Sequence, residues 1–174
     1  MAMKLTVVFA AAASLAAGLG AMIAPAQARP DMVGFSSGYS PGTIIVRTNE
    51  RRLYLVLDEG TALRYPVGVG KAGQQWSGTT RVDGKYRQPA WSPPDAIRRD
   101  NPSLPDVIPG GAPSNPMGAA ALTLEGGDYA IHGTNRRASI GGFVSYGCVR
   151  MYNEDITDLY MRVPVGTPVV VTAR

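Results

Sequence analysis

The chain holds a single histidine, His132, and a single cysteine, Cys148. Each is flanked by glycine in a β-prone stretch: Ile131-His132-Gly133-Thr134-Asn135 and Ser145-Tyr146-Gly147-Cys148-Val149-Arg150. Taken singly, both have bland readings. A lone cysteine is most often a small buried hydrophobe, and a lone histidine most often a satisfied core or surface residue. As a pair they have a specific chemistry. A free thiol, with a pKa near ~8.5, is mostly protonated at neutral pH. An imidazole within hydrogen-bond reach can take that proton, leaving a thiolate beside an imidazolium, and the thiolate can attack an amide carbonyl. The same imidazole then protonates the departing amine. The oxyanion formed on the way needs donors already in place. The backbone N–H groups of Gly147 and Cys148 are the candidates, each worth about 3 kcal/mol.

Arg150 lies two positions beyond Cys148 and, on a strand, shares its face. There it could grip a substrate carboxylate with both arms of its guanidinium; the competing reading is a structural salt bridge. Metal catalysis fits poorly, because a zinc site wants three or four ligands and the chain offers one His and one Cys. No cofactor is expected. A Ser–His–Asp arrangement through Ser139 or Ser145 is possible on composition, but neither serine sits in a G-x-S-x-G elbow.

The elements that must position these groups read as mainly β. Thr43–Val46, Leu53–Leu57 and Leu63–Val69 are short β-prone runs about ten residues apart with Gly-bearing turns, which predicts hairpins. Strand signals return at Ala120–Leu124, Tyr129–Ile131 and Val169–Val171. One short helix is expected near the C-terminus. Ile156, Leu159, Tyr160 and Val163 fall on one helical face, Asn153 can cap it and Pro164 ends it. Between Gly70 and Pro116 lie eight of the fourteen prolines and both tryptophans, Trp76 and Trp91, with little periodicity. A long irregular segment of this kind reads as a lid or binding loop, or else as surface decoration. Trp91 before Pro93-Pro94 favours a packed segment.

The N-terminus starts with one Lys at position 4, runs from Leu5 to Ala24 without a charge, and reaches Ala26-Gln27-Ala28 before Arg29. That pattern predicts a secretory signal peptide over 1–28. An uncleaved anchor is the other reading, though the run is mostly weakly apolar Ala and Gly. Residues 29–42, rich in Gly, Ser and Pro, read as a flexible leader, and 43–174 as one catalytic domain. An unpaired thiol in an oxidising exported compartment is a liability unless it is used, which strengthens the case for Cys148. The net charge of +4 is scattered, so nothing resembles a nucleic-acid-binding stripe. A mild positive excess suits an anionic polymer and ordinary solubility equally well.

The motifs from Ile131 to Asn135, Ser139-Ile140-Gly141-Gly142, and Ser145 to Met151 closely resemble the signature of the L,D-transpeptidase (YkuD-type) catalytic domains. Leu53–Val56 with Tyr65–Gly70, Pro89-x-Trp91-x-Pro93-Pro94, and Asn115–Gly118 are similar to other motifs of that family, so the likeness covers roughly Thr43 to Thr172. The resemblance implies a mixed β-sandwich with one small helix and a lid over the active cleft. It implies Cys148 as nucleophile, His132 as base and then acid, and the Gly133 carbonyl as the group that orients the imidazole. Ser145, Tyr146, Gly147, Arg150, Thr134 and Asn135 would contact substrate. That substrate would be a peptidoglycan stem peptide, attacked at its third residue with loss of the terminal D-alanine. Another stem, or an outer-membrane protein or lipoprotein, would accept the acyl group, and carbapenems would acylate the same cysteine. The setting implied is the periplasm or cell envelope.

Two positions depart from the family pattern. Tyr146 stands where a second histidine is common, which leaves His132 as the one available imidazole. Gly78-Thr79-Thr80-Arg81-Val82 replaces a usual T-P-x-G-x-F turn. Two alternatives remain open at this stage: hydrolysis of the same acyl-enzyme, giving an L,D-carboxypeptidase or amidase, and a non-catalytic wall-binding module.

Overall fold

The structure, a computed structural model, describes residues 30–36, 38–127 and 129–173. The stretch read as a signal peptide lies outside the described residues.

The core hairpins form where expected. β2 (Ile44–Arg47), β3 (Arg52–Val56) and β4 (Thr61–Pro66) make an antiparallel meander, in which Ile44 faces Leu55 and Leu53 faces Tyr65. These strands are buried almost continuously rather than alternately, because both faces are covered. Ile44, Val46, Leu53, Leu55, Leu63 and Tyr65 point to the main core, whereas Ile45, Tyr54, Val56 and Ala62 form a second cluster with Phe35. The cover over that outer face comes from the leader. β1 (Asp31–Gly34) pairs antiparallel with β4, and Phe35 stacks on Tyr54 with ring centroids 4.4 Å apart. The expectation of a flexible 29–42 is corrected here. Gly, Ser and Pro dominate the composition, but Val33 and Phe35 carry enough apolar area to dock on an otherwise exposed face.

The C-terminal strand β11 (Pro168–Thr172) runs parallel to β2 and antiparallel to β6 (Gly78–Arg87). β6 lies inside the segment expected to be irregular. Its sequence lacks alternation, and Val82 and Gly84 are its buried positions, so its main-chain pairing on both sides holds it. The first half pairs with β11, the second with β7 (Ala120–Leu124), and a bulge separates them at Val82/Gly84. A strand that changes partners at a bulge turns a corner, and β6 folds the sheet over into two layers. β7 continues to β8 (Ala130–His132), which pairs in parallel with β10 (Val149–Arg150). A separate parallel pair, β5 (Val69–Gly70) and β9 (Phe143–Ser145), closes the near side. Strands dominate, and the sheet is mixed.

α2 (Asn153–Arg162) packs Ile156 and Leu159, both at 0% exposure, on β7 and β8 and stops before Pro164. A second helix, α1 (Asp95–Asp100), was not anticipated. It has no buried residue, so no hydrophobic period could reveal it. Pro94 at its N-cap and Asp95 in its first turn are its local support. α1 rides on a loop pinched at its base, where Trp91 and Ile108 exchange two backbone hydrogen bonds of 2.8 and 2.9 Å. No helix among the described residues is long and apolar enough to cross a membrane.

Candidate active site

The parallel pairing of β8 with β10 puts Arg150 beside His132 and Val149 beside Ile131. Cys148 immediately precedes β10, so two remote sequence motifs become neighbours through one short strand pair. His132, Cys148, Arg150, Ser145 and Tyr146 line one side of a cleft of about 260 Å³. Trp91, Pro94, Ala96 and Ile97 of the α1 loop line the other, with Pro116, Met117, Gln74 and Tyr129 between. The irregular segment is therefore a wall of this cleft, with α1 and Cys148 both in its lining.

His132 is 4% exposed, and its Nδ1 lies 2.7 Å from the Gly133 carbonyl oxygen. A carbonyl accepts only, so Nδ1 carries the proton and Nε2 is left as the basic nitrogen. Burial first, and then the nearby Arg150 guanidinium, bring His132 down to about 4 against the opposing pull of the Gly133 and Pro116 carbonyls. Burial raises the Cys148 thiol, offset in part by a backbone hydrogen bond from Ala130 and by Arg150. Both directions favour the uncharged forms. The resting pair is neutral thiol and neutral imidazole, not the preformed thiolate–imidazolium pair expected from the residue types.

Arg150 is half-buried, its Nε has no hydrogen-bond partner, and it enters no ion pair among the described residues. A structural salt bridge is thus set aside. Burial lowers its pKa without removing its charge in the neutral range, and an unpaired buried cation at the rim of a cleft calls for an anion.

The turn carrying Cys148 is stapled by three hydrogen bonds from two side chains. Ser145 Oγ accepts from Gly147 N–H at 3.1 Å and donates to the Cys148 carbonyl at 2.6 Å. Trp76 Nε1 donates to the Gly147 carbonyl at 3.0 Å, and the indole stacks on Tyr129 at 4.8 Å. Gly147 has φ +119°, and a Cβ there would strike the Tyr129 ring, so only glycine fits. The Gly147 N–H, expected to receive an oxyanion, is instead engaged by Ser145. Gly147, Thr134 and Asn135 do not line the cleft. Thr134 N–H donates to Asn153 Oδ1 at 3.0 Å, and Asn135 Nδ2 donates to the Ser114 carbonyl at 3.0 Å. Both shape the loop behind His132.

Tyr146 closes the cleft on the lid side. Its hydroxyl donates to the Asp100 carboxylate at the end of α1, while Lys71 Nζ sits 3.7 Å from the Tyr146 ring centroid and 3.7 Å from Asp100. The hydroxyl is thereby committed to the lid rather than to proton transfer. Asn115, 2% exposed, was singled out only as part of a motif. Its Nδ2 reaches the carbonyls of Pro89, Ile108 and Pro109, and its Oδ1 accepts from Met117 N–H. The bond to Pro89, 26 residues away, ties two separate stretches and leaves no local signal in the sequence.

The L,D-transpeptidase catalytic domain (YkuD) model matches residues 41–171. The chain belongs to the L,D-transpeptidase family. The "Probable L,D-transpeptidase ErfK/SrfK" of Escherichia coli (strain K12) is 43% identical over 135 residues, covering 72% of this chain and 42% of that protein. This L,D-transpeptidase chain therefore spans less than half the length of that curated relative. A solved L,D-transpeptidase from Mycobacterium smegmatis superposes with a TM-score of 0.60 at 19% identity, over 75% of this chain and 58% of the other. A solved chain from Brucella melitensis, described as a "Probable carnitine operon oxidoreductase caia", is 40% identical over 86% of this chain and 96% of its own, with a TM-score of 0.55. The name of that chain refers to another chemistry; the family model and the curated relative agree on the L,D-transpeptidase assignment.

Proposed function

We propose that the protein is an exported L,D-transpeptidase that acylates Cys148 with a peptidoglycan stem peptide and passes the acyl group to an amine. The observation that carries this reading is the shared cleft: Cys148, His132 and the unpaired Arg150 open into one space, with His132 Nδ1 held by Gly133 so that Nε2 serves as base. Because both partners rest uncharged, the proton moves as the bond forms. The sulfur attacks the carbonyl carbon of the third stem residue while its proton passes to His132 Nε2. The Cys148 N–H receives the oxyanion in a partly buried setting where such a donor is worth most.

As the tetrahedral intermediate collapses, the carbon–nitrogen bond breaks and His132 returns the proton to the leaving D-alanine amine. A thioester on Cys148 remains. An acceptor amine then attacks it, losing a proton to His132, and that proton restores the thiol when the carbon–sulfur bond breaks. Arg150 binds a substrate carboxylate, which fixes the scissile carbonyl over the sulfur. The signal-like N-terminal pattern supports delivery to the periplasm, where both stem peptides and envelope-protein acceptors are found.

Two measurements test the proposal. Incubation with a carbapenem should raise the intact mass by one adduct, absent in Cys148→Ser. Muropeptides from cells carrying the gene should contain 3→3 cross-links or protein-linked stems that disappear on deletion. An unshifted mass with a demonstrably reduced thiol would remove the catalytic reading. Trimmed tripeptides alone would indicate that water is the acceptor.

A further inference from the structure

Asn153 occupies the first position of α2, where a helix cap was expected, yet it makes no capping bond. Its Oδ1 instead accepts two backbone N–H groups, from Ala119 and from Thr134, each at 3.0 Å. The second matters for the chemistry. The Thr134 N–H and the Gly133 C=O belong to one trans peptide unit, so they point in opposite directions along one rigid plane. The carbonyl end accepts His132 Nδ1–H at 2.7 Å, and the N–H end donates to Asn153 Oδ1. We propose that Asn153 is a positioning residue for His132, fixing through one intervening peptide the tautomer that leaves Nε2 free to act as base. The proposal rests on reading His132 as the base of the transfer reaction.

Three features make the assignment specific. The neighbouring backbone is pinned independently, with His132 O accepting from Met151 N–H and Gly133 N–H donating to Ala120 O. The remaining freedom at this point is rotation of the Gly133–Thr134 peptide, which Asn153 blocks. The packing leaves room for nothing else: a Cβ on either Gly118, at φ +64°, or Gly133 would collide with Asn153 Oδ1. Finally, the three groups form a chain of donors running the same way, from imidazole to peptide to side-chain amide oxygen, so each bond polarises the next. A peptide linked to an amide here does what a carboxylate does in a catalytic triad, without burying a charge.

The lone histidine makes the test direct, because the imidazole nitrogens of a tag-free, ¹⁵N-labelled chain need no assignment. Long-range ¹H–¹⁵N spectra should show the Nδ1–H tautomer in the wild type and a population shifted towards Nε2–H in Asn153→Ala. The rate constant of carbapenem acylation should fall roughly 10- to 100-fold in that variant, by analogy with the loss of a partner that orients a metal-bound histidine. The half-saturating carbapenem concentration should stay within about 2-fold, since a positioning group acts on the chemical step. Asn153→Asp keeps both hydrogen bonds and adds a charge one peptide away from the ring. It should retain the Nδ1–H tautomer and move the acid limb of acylation to higher pH.

An Nε2–H tautomer in the wild type, or an unchanged tautomer and rate in a folded Asn153→Ala, would overturn the proposal. If Asn153→Ala does not fold, Asn153→Asp decides: an unmoved acid limb counts against it. A wild type that no carbapenem acylates would sink the functional reading while leaving the tautomer result standing on its own.

Discussion

At the scale of single residues, the site is governed by what burial does to charge. Burial and the Arg150 guanidinium lower His132 to about 4, so the imidazole stays neutral well into acid. Two limbs of the pH profile follow. The acid limb of second-order carbapenem acylation should lie near pH 4, far below that of a solvent-exposed histidine, because this limb reports the free enzyme. With a carboxylate substrate bound on Arg150, the second cause of the depression is neutralised, and the acid limb of the first-order step should move upward. Stopped-flow acylation across pH 3.5 to 8 distinguishes the two, and a shared limb at about 6.5 would contradict the electrostatics described. Cys148, His132 and Arg150, which share the cleft, could be singled out in the sequence as candidates because each is rare or glycine-flanked and needs no partner to be noticed. The tasks of Ser145, Trp76, Asn115 and Asn153 could not. Trp76 and Asn153 act on backbone groups 19 to 71 residues away, and Ser145 and Asn115 largely through hydrogen bonds to neighbouring main chain that depend on how the turn folds, so neither kind leaves a spacing to read.

At the scale of elements, hairpins β2–β4 were readable from β-prone runs broken by turns and helix α2 from its hydrophobic period, whereas β1, β6 and α1 were not. All three form without an apolar pattern of their own, by pairing or docking on surfaces that exist only once the sheet has folded. β1 and Phe35 exist because β3 and β4 present an outer apolar face. Phe35→Ala should cost about 3 kcal/mol, the low end for a buried aromatic truncation, since the site opens to solvent and can relax; urea denaturation measures it. α1 is held differently. Its tie to the turn that carries Cys148 runs through Tyr146, Asp100 and Lys71, of which Lys71 and Asp100 are 42% and 53% exposed. Exposed pairs contribute about 0 to 1 kcal/mol, so this latch biases the lid without locking it. Tyr146→Phe should speed hydrogen exchange at 95–100 by up to about 5-fold while leaving the melting temperature within about 2 °C. Unchanged exchange would show that Trp91 and its bridge to Ile108 hold the lid alone.

At the scale of the whole molecule, two buried groups pull the pH dependence of stability in opposite directions. His132 is lowered, so the folded state binds fewer protons than the unfolded one between about pH 6.5 and 4, and stability is lost as pH falls through that window. Asp155 is the reverse case. It is 1% exposed, and neither carboxylate oxygen has a hydrogen-bond partner among the described residues. Burial, with Glu154 and Asp158 adding to it and Arg137 opposing, raises it to about 7. The folded state therefore holds a proton that the unfolded chain releases near 3.8, and stability is lost as pH climbs from there through about 7. Over pH 4 to 6.5 the two trends offset each other, and above about 7 the cost of an ionised Asp155 is present in full. Asp155→Asn keeps the volume and removes the charge. It should match the wild type at pH 4 and exceed it by about 2 kcal/mol at pH 8. The variant should also unmask a rise in stability across pH 4 to 6.5 that belongs to His132 and vanishes when His132→Asn is added. Urea midpoints at the two pH values suffice to check this. An equal difference between Asp155→Asn and the wild type at pH 4 and pH 8 would mean that Asp155 is ionised, and solvated, in the folded protein.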